Sequence, residues 1–209
     1  MIKGVIPLYD EYKKYLSKMG KKIAILQLTG RIEDYLVKEF VAFVYKESHG
    51  QVFVQTNFGK AGENRIDMGL TQLRDNKRVI FGLIEAKYIT NKHKGGENNA
   101  LDNLEGTLAS LYKQIKYVPK RKHASHDVRA KSLLNSIYGL IFASYISDIN
   151  NDRDKNIYFK QLKKRAADRF RFHDLQTPQL LSVYDDIKID YLGIKKYVSL
   201  KIGLWRAKK

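Results

Sequence analysis

Four residues of this chain could do chemistry together: Glu33, Asp67, Glu85 and Lys87. Strand alternation from Val79 to Ile89 puts Val79, Phe81, Leu83, Glu85, Lys87 and Ile89 on one face, so an acid and an amine sit in an apolar row. In the preceding segment Asp67 faces with Gly69 and Thr71, opposite Ile66, Met68 and Leu70. On a helical wheel Glu33 falls inside the arc of Leu36, Phe40 and Val44, while its neighbour Asp34 points to solvent. A carboxylate on a core face is expensive unless something pairs with it. A three-residue hairpin loop, Asp75-Asn76-Lys77, makes the numbers of paired residues sum to 152 and sets Asp67 directly across from Glu85. A two-residue loop breaks that match. Facing β-carbons lie about 5 Å apart, and two carboxylates at that separation repel unless a divalent cation lies between them. Mg²⁺, with Mn²⁺ as a substitute, suits such a pair, because it takes one or two carboxylates and completes its shell with water and phosphate oxygens. The ion acidifies water and stabilises a phosphoryl transition state. A lysine beside it can orient that water or offset charge at the phosphate.

The elements that must position these side chains are legible in outline. A short basic helix is expected over 9–19. Thr29 reads as the N-cap of a helix from about Arg31 to Glu47, whose apolar arc is Ile32, Leu36, Val37, Phe40, Phe43 and Val44. His49-Gly50 closes it, with Gly as the stop. Strands are expected over 51–57, 65–73 and 79–89. A helix follows from Ala100 to Tyr117, before Pro119. The near-continuous apolar run from Ser136 to Ile146 reads as a central strand. A helix over 157–170 carries the stripe Phe159, Leu162, Ala166 and Phe170, with Lys160, Lys164 and Arg165 on its other side. Strands over 184–191 and 197–205 form a C-terminal hairpin. The order α-β-β-β-α-β-α-β-β predicts an α/β mixed sheet with packed helices. One domain covers 1–209, with its core at about 29–147 and the C-terminal helix and hairpin at about 157–206.

Charge narrows the partners. The chain has 39 Lys and Arg against 22 Asp and Glu, a net charge of +17, and a domain this basic usually meets a polyanion. From Lys113 to Arg171 there are 15 basic and 5 acidic residues, a phosphate-binding surface in prospect. With no cysteine, disulfide scaffolds, cysteine zinc sites and thiol nucleophiles are excluded. No secretion signal is evident at the start, and the run Ile137–Ile146 is too short to cross a bilayer. A cytoplasmic, soluble protein with no membrane role is therefore expected.

Ile66-Asp67, seventeen intervening residues, then Glu85-Ala86-Lys87 resembles the core motif of the PD-(D/E)XK nucleases, the restriction-endonuclease-like fold, and the helix–three strands–helix–strand order from about Arg31 to Ile146 matches it. The resemblance covers a little over half the chain. It implies Asp67 and Glu85 as metal ligands, the Ala86 carbonyl as another, and Lys87 as the catalytic lysine. Glu33 corresponds to the first-helix acid of many members, which holds a second metal or orients a ligand. Gln114, in Tyr112-Lys113-Gln114-Ile115-Lys116-Tyr117, resembles the helix glutamine some branches add, one residue closer to its tyrosine than usual. Ile66 stands where the family name has proline. The implied activity is Mg²⁺-dependent DNA endonuclease, of restriction or mobile-element type, with a homodimer needed to cut both strands. Gln114, Lys116, Lys120, Arg121, Lys122, Lys160, Lys164 and Arg165 would contact nucleic acid. Rival readings are a non-catalytic nucleic-acid-binding protein on the same fold, or an RNase.

The acid-x-lysine triple alone is weak. It recurs at Glu11-Tyr12-Lys13, Asp75-Asn76-Lys77 and Asp186-Ile187-Lys188, the last in a strand with Asp190 on its face. A buried ion pair among Asp67, Glu85 and Lys87 is the bland alternative. His123-Ala124-Ser125-His126 sits in a basic loop without a third ligand, and Gly59-Lys60-Ala61-Gly62 lacks the ending of a phosphate loop.

Overall fold

A computed structural model describes residues 5–29, 32–49, 52–58, 66–74, 77–92, 102, 137–169 and 180–206. Three helices come first: α1 (Val5–Lys18), α2 (Gly20–Thr29) and α3 (Ile32–Glu47). Strands β1 (Val52–Phe58), β2 (Ile66–Arg74), β3 (Lys77–Thr90) and β4 (Ile137–Ser147) follow. Helix α4 (Asp152–Arg169) then precedes the hairpin β5 (Leu181–Tyr191) and β6 (Ile194–Arg206). The expected helix over 100–117 lies outside the described residues except for Asp102.

All six strands join one mixed sheet in the order β1-β2-β3-β4-β6-β5. The β3–β4 pairing is parallel and the others are antiparallel. The protein is thus α/β, with helices against a mixed sheet. The apolar run read as a central strand is β4, which lies between β3 and β6 and is buried from Ile137 to Ser144. The C-terminal hairpin extends the same sheet rather than forming a separate layer.

On one face of the sheet α1, α2 and α3 enclose the main core. Tyr12, Leu16, Ile23, Leu36, Phe40 and Phe142 are fully buried there with Ile84 and Ala86. The Tyr12 ring packs edge-on against Phe40, and its hydroxyl donates to the Leu36 carbonyl at 2.7 Å. On the other face Tyr145 of β4 meets Tyr158 and Phe159 of α4. Gly203 of β6 lies under the buried Trp205 ring; a β-carbon there would come within 2.1 Å of the indole.

Four expectations need correcting. The short basic helix is longer, and its apolar side, Leu8, Tyr9, Tyr12 and Leu16, belongs to the core. Thr29 is not an N-cap but the last residue of α2, its hydroxyl donating to the Leu26 carbonyl at 3.1 Å. At the end of α3, His49 itself takes the left-handed conformation, at φ 50°, that was expected of glycine. The fourth concerns β2 and β3. Arg74 pairs with Lys77, so two residues, not three, separate the strands. The pair sum is 151 through Thr71↔Ile80, and then Leu70 pairs with Gly82, making Phe81 an extra residue. This bulge resets the alternation. Phe81 packs with the α1–α3 core instead of joining the Leu83, Glu85 and Lys87 row. Beyond it the pairs sum to 152 as far as Met68↔Ile84, the register that sets Asp67 opposite Glu85.

Candidate active site

The four charged side chains meet where β3 outruns β2. Ile66 is the first described residue of β2, whereas β3 continues to Thr90. Past Met68↔Ile84 the β2-facing backbone N–H groups of β3 need other acceptors, because buried amides are rarely left unpaired. Carboxylates provide them. Asp67 Oδ2 accepts from the Ala86 N–H at 2.7 Å, and Glu33 Oε2 accepts from the Tyr88 N–H at 2.6 Å. Glu85 answers in the other direction, its Oε2 accepting from the Asp67 N–H at 3.2 Å. Lys87 Nζ then lies 3.1 Å from Glu85 Oε1 and 3.7 Å from Glu33 Oε1.

Glu33 reaches this cluster differently from the wheel expectation. It stands in the first turn of α3, beside the core rather than within it, with its side chain 37% exposed. Asp34 is exposed, as expected.

The electrostatics follow from three acids sharing one lysine. Glu85 is 4% exposed. Burial, with the Asp67 charge added, pushes its carboxyl up to about 7, against the pull of Lys87. Burial also raises Glu33, opposed by the Tyr88 N–H and Lys87. Burial works to lower Lys87, but Glu85, Glu33 and Asp67 together outweigh it and hold the ammonium above its usual range. The cluster therefore has a surplus of negative charge and a lysine locked in its charged form.

Does this donor set fit Mg²⁺? Among the described residues no three His, Asp or Glu side chains converge to grip one ion. The set is a pair, Asp67 and Glu85, and two carboxylates completed by water and phosphate oxygens is the ordinary arrangement for Mg²⁺. Carboxylate repulsion strong enough to raise Glu85 is what a cation would relieve. The pair fits. Glu33 is tied to Tyr88 and Lys87 and stands at the rim.

The expected phosphate-binding residues divide. On α4, Lys160 and Lys164 are exposed and Arg165 is partly so. The pairing Lys87↔Ile141 and even spacing to Tyr145 place α4 on the same sheet face as Glu85 and Lys87. The side chain of Ala166 and all of Phe170 lie outside the described residues, as do Gln114, Lys116, Lys120, Arg121, Lys122, the His123–His126 pair and the glycine-lysine loop at 59–62. The rival triple is structural: Asp186 bonds Lys155 and Ser199, and Lys188 and Asp190 are exposed.

Sequence reasoning passed over Gln27, Tyr88 and Lys92, which line a cavity sharing Glu33 as a wall. Only Gln27 left a trace, as a polar residue four positions after Ile23 in the buried stripe of α2.

Comparison of the chain with protein-family models, curated proteins and solved structures yields no match, so the site's own geometry carries the functional argument. No helix among the described residues is long and apolar enough to cross a membrane.

Proposed function

We propose that this protein is a Mg²⁺-dependent DNA endonuclease with a restriction-endonuclease-like core. The observation that carries the reading is the reciprocal lock between β2 and β3: Asp67 holds the Ala86 N–H, Glu85 holds the Asp67 N–H, and Lys87 sits on Glu85. An antiparallel hairpin feeding a parallel central strand supports the core assignment. In this reading Asp67 and Glu85 hold the metal, with the Ala86 carbonyl as the third protein oxygen. When bound, Mg²⁺ supplies the acidified water and the charge stabilisation that phosphodiester hydrolysis needs. Lys87, anchored by Glu85, keeps its ammonium beside the phosphate and orients the attacking water. Glu33 steadies Lys87 and closes the end of β3. Lys160, Lys164 and Arg165 of α4 contribute backbone contacts on the same sheet face.

A purely structural ion pair fits less well. Such a pair is balanced, whereas here three carboxylates surround one ammonium, and Glu85 is driven upward rather than held down by its partner.

The test is cleavage of plasmid, linear duplex and single-stranded DNA in Mg²⁺, Mn²⁺ or EDTA, with RNA alongside. Metal-dependent cleavage that vanishes in Asp67→Asn and Lys87→Ala is expected. Salt-sensitive DNA binding with no cleavage in either metal would replace this reading with a non-catalytic binding protein.

A further inference from the structure

Beside the carboxylate cluster, at the carboxyl ends of the parallel strands β3 and β4, lies a cavity of about 400 Å³. Open α/β sheets bind ligands at this position, and the volume falls within the range of small-molecule sites. Its floor has buried polar atoms without hydrogen bonds. Gln27 is 6% exposed, its Oε1 accepts from the Tyr184 hydroxyl, and its Nε2 has no acceptor. The Tyr88 hydroxyl is likewise unsatisfied. Buried donors are rarely left so, and removing an amide from water without a partner costs about 1–3 kcal/mol. Ile32, Ile146 and Tyr191 supply flat and apolar wall. At the mouth stand Lys92 and Lys196, with Asp148 bonded to Lys196, leaving a net positive rim. Lys92 is fixed from behind. The Asn91 side chain bonds both the N–H and the carbonyl of Ile146, at 2.8 and 3.0 Å, and the Lys92 N–H bonds Thr90 Oγ1.

A pocket with a hydrogen-bonding floor, flat apolar walls and a cationic rim matches one nucleotide: base edge inward, ring between the walls, phosphate at the lysines. We infer that this cavity receives a single nucleotide swung out of the DNA strand beside the scissile phosphate, with its base edge on Gln27 Nε2 and the Tyr88 hydroxyl. The inference rests on the nuclease reading for its strand, but not for its pocket. Glu33 is the shared partition. It lines the cavity while its carboxylate contacts Tyr88 N–H and Lys87, so an extruded nucleotide would leave its phosphate next to the cluster.

The test measures binding of dAMP, dGMP, dCMP and TMP to the full chain by calorimetry in EDTA, where cleavage is silent, with cleavage assayed separately in Mg²⁺. Saturable binding of at least one mononucleotide is expected. It should weaken about tenfold in Gln27→Met, the loss of roughly one hydrogen bond to a buried group, and comparably in Lys92→Ala, an exposed change that leaves the fold intact. No binding of any of the four, or binding unaffected by both changes, overturns the inference even if DNA is cleaved. Binding without cleavage in Mg²⁺ supports the pocket and refutes the nuclease reading instead.

Discussion

Replacing Glu85 by Gln tests the electrostatics of the site without any substrate. In the folded, metal-free chain this carboxyl titrates at about 7, against 4.5 ordinarily. Between those values the folded state keeps a proton that the unfolded chain has released. Stability from this group is therefore greatest below about pH 4.5 and is lost as pH rises through 7. At about 1.4 kcal/mol per pH unit, the ceiling is about 3 kcal/mol. For a chain of 209 residues that corresponds to about 6–12 °C in Tm. Glutamine keeps an oxygen for the Asp67 N–H and removes the titration. Thermal melts in EDTA from pH 5 to 8 should show wild type and Glu85→Gln starting close together at pH 5. Wild type should then fall relative to the variant by several degrees by pH 8. Curves that stay parallel would mean that Glu85 does not sense Asp67 and burial as described, and the argument for a cation between the two acids would lose its basis.

Other outcomes follow from the same geometry. At pH 8, Mg²⁺ at ten times its dissociation constant should stabilise wild type by about 1.4 kcal/mol, with little effect in Glu85→Gln or Asp67→Asn, read by the same melts. Lys87→Ala should cut cleavage at least about a hundredfold, as removal of a charge-stabilising donor does, while gel-shift affinity for DNA changes little. Gly203→Ala should destabilise by about 1–3 kcal/mol, because its methyl displaces the buried Trp205 ring, and Trp fluorescence should report the shift. Phe40→Ala, deep between α1 and the sheet, should cost about 3–5 kcal/mol in denaturant melts.

The parts of this fold that follow from strong periodicity were readable. The apolar run of β4 announced a strand buried on both faces, and the i, i+4 stripe of α3 gave Leu36, Phe40 and Val44 correctly. What escaped depended on single residues or on tertiary choice. Helix α2 has two leading lysines, an exposed Ile25 and a glutamine in its buried stripe, so its pattern is faint. Missing it turned Thr29 into an N-cap and hid Gln27 from any functional reading. The facing of Asp67 and Glu85 was anticipated by way of the wrong loop length. An extra residue at Phe81, which alternation alone does not reveal, brings the two strands back into that register.

The projecting end of β3 has a further consequence. A strand with unpaired N–H groups along one side is a template on which another strand can add. Among the described residues, Asp67 and Glu33 plug the Ala86 and Tyr88 positions of that template with negative charge. Truncating either acid to alanine uncovers one rung and removes one like-charge deterrent to a second chain. Alanine variants at these two positions are thus expected to self-associate through β3, so sedimentation of each variant should accompany its activity. The isosteric amides, which keep an oxygen over each N–H, separate lost chemistry from acquired stickiness.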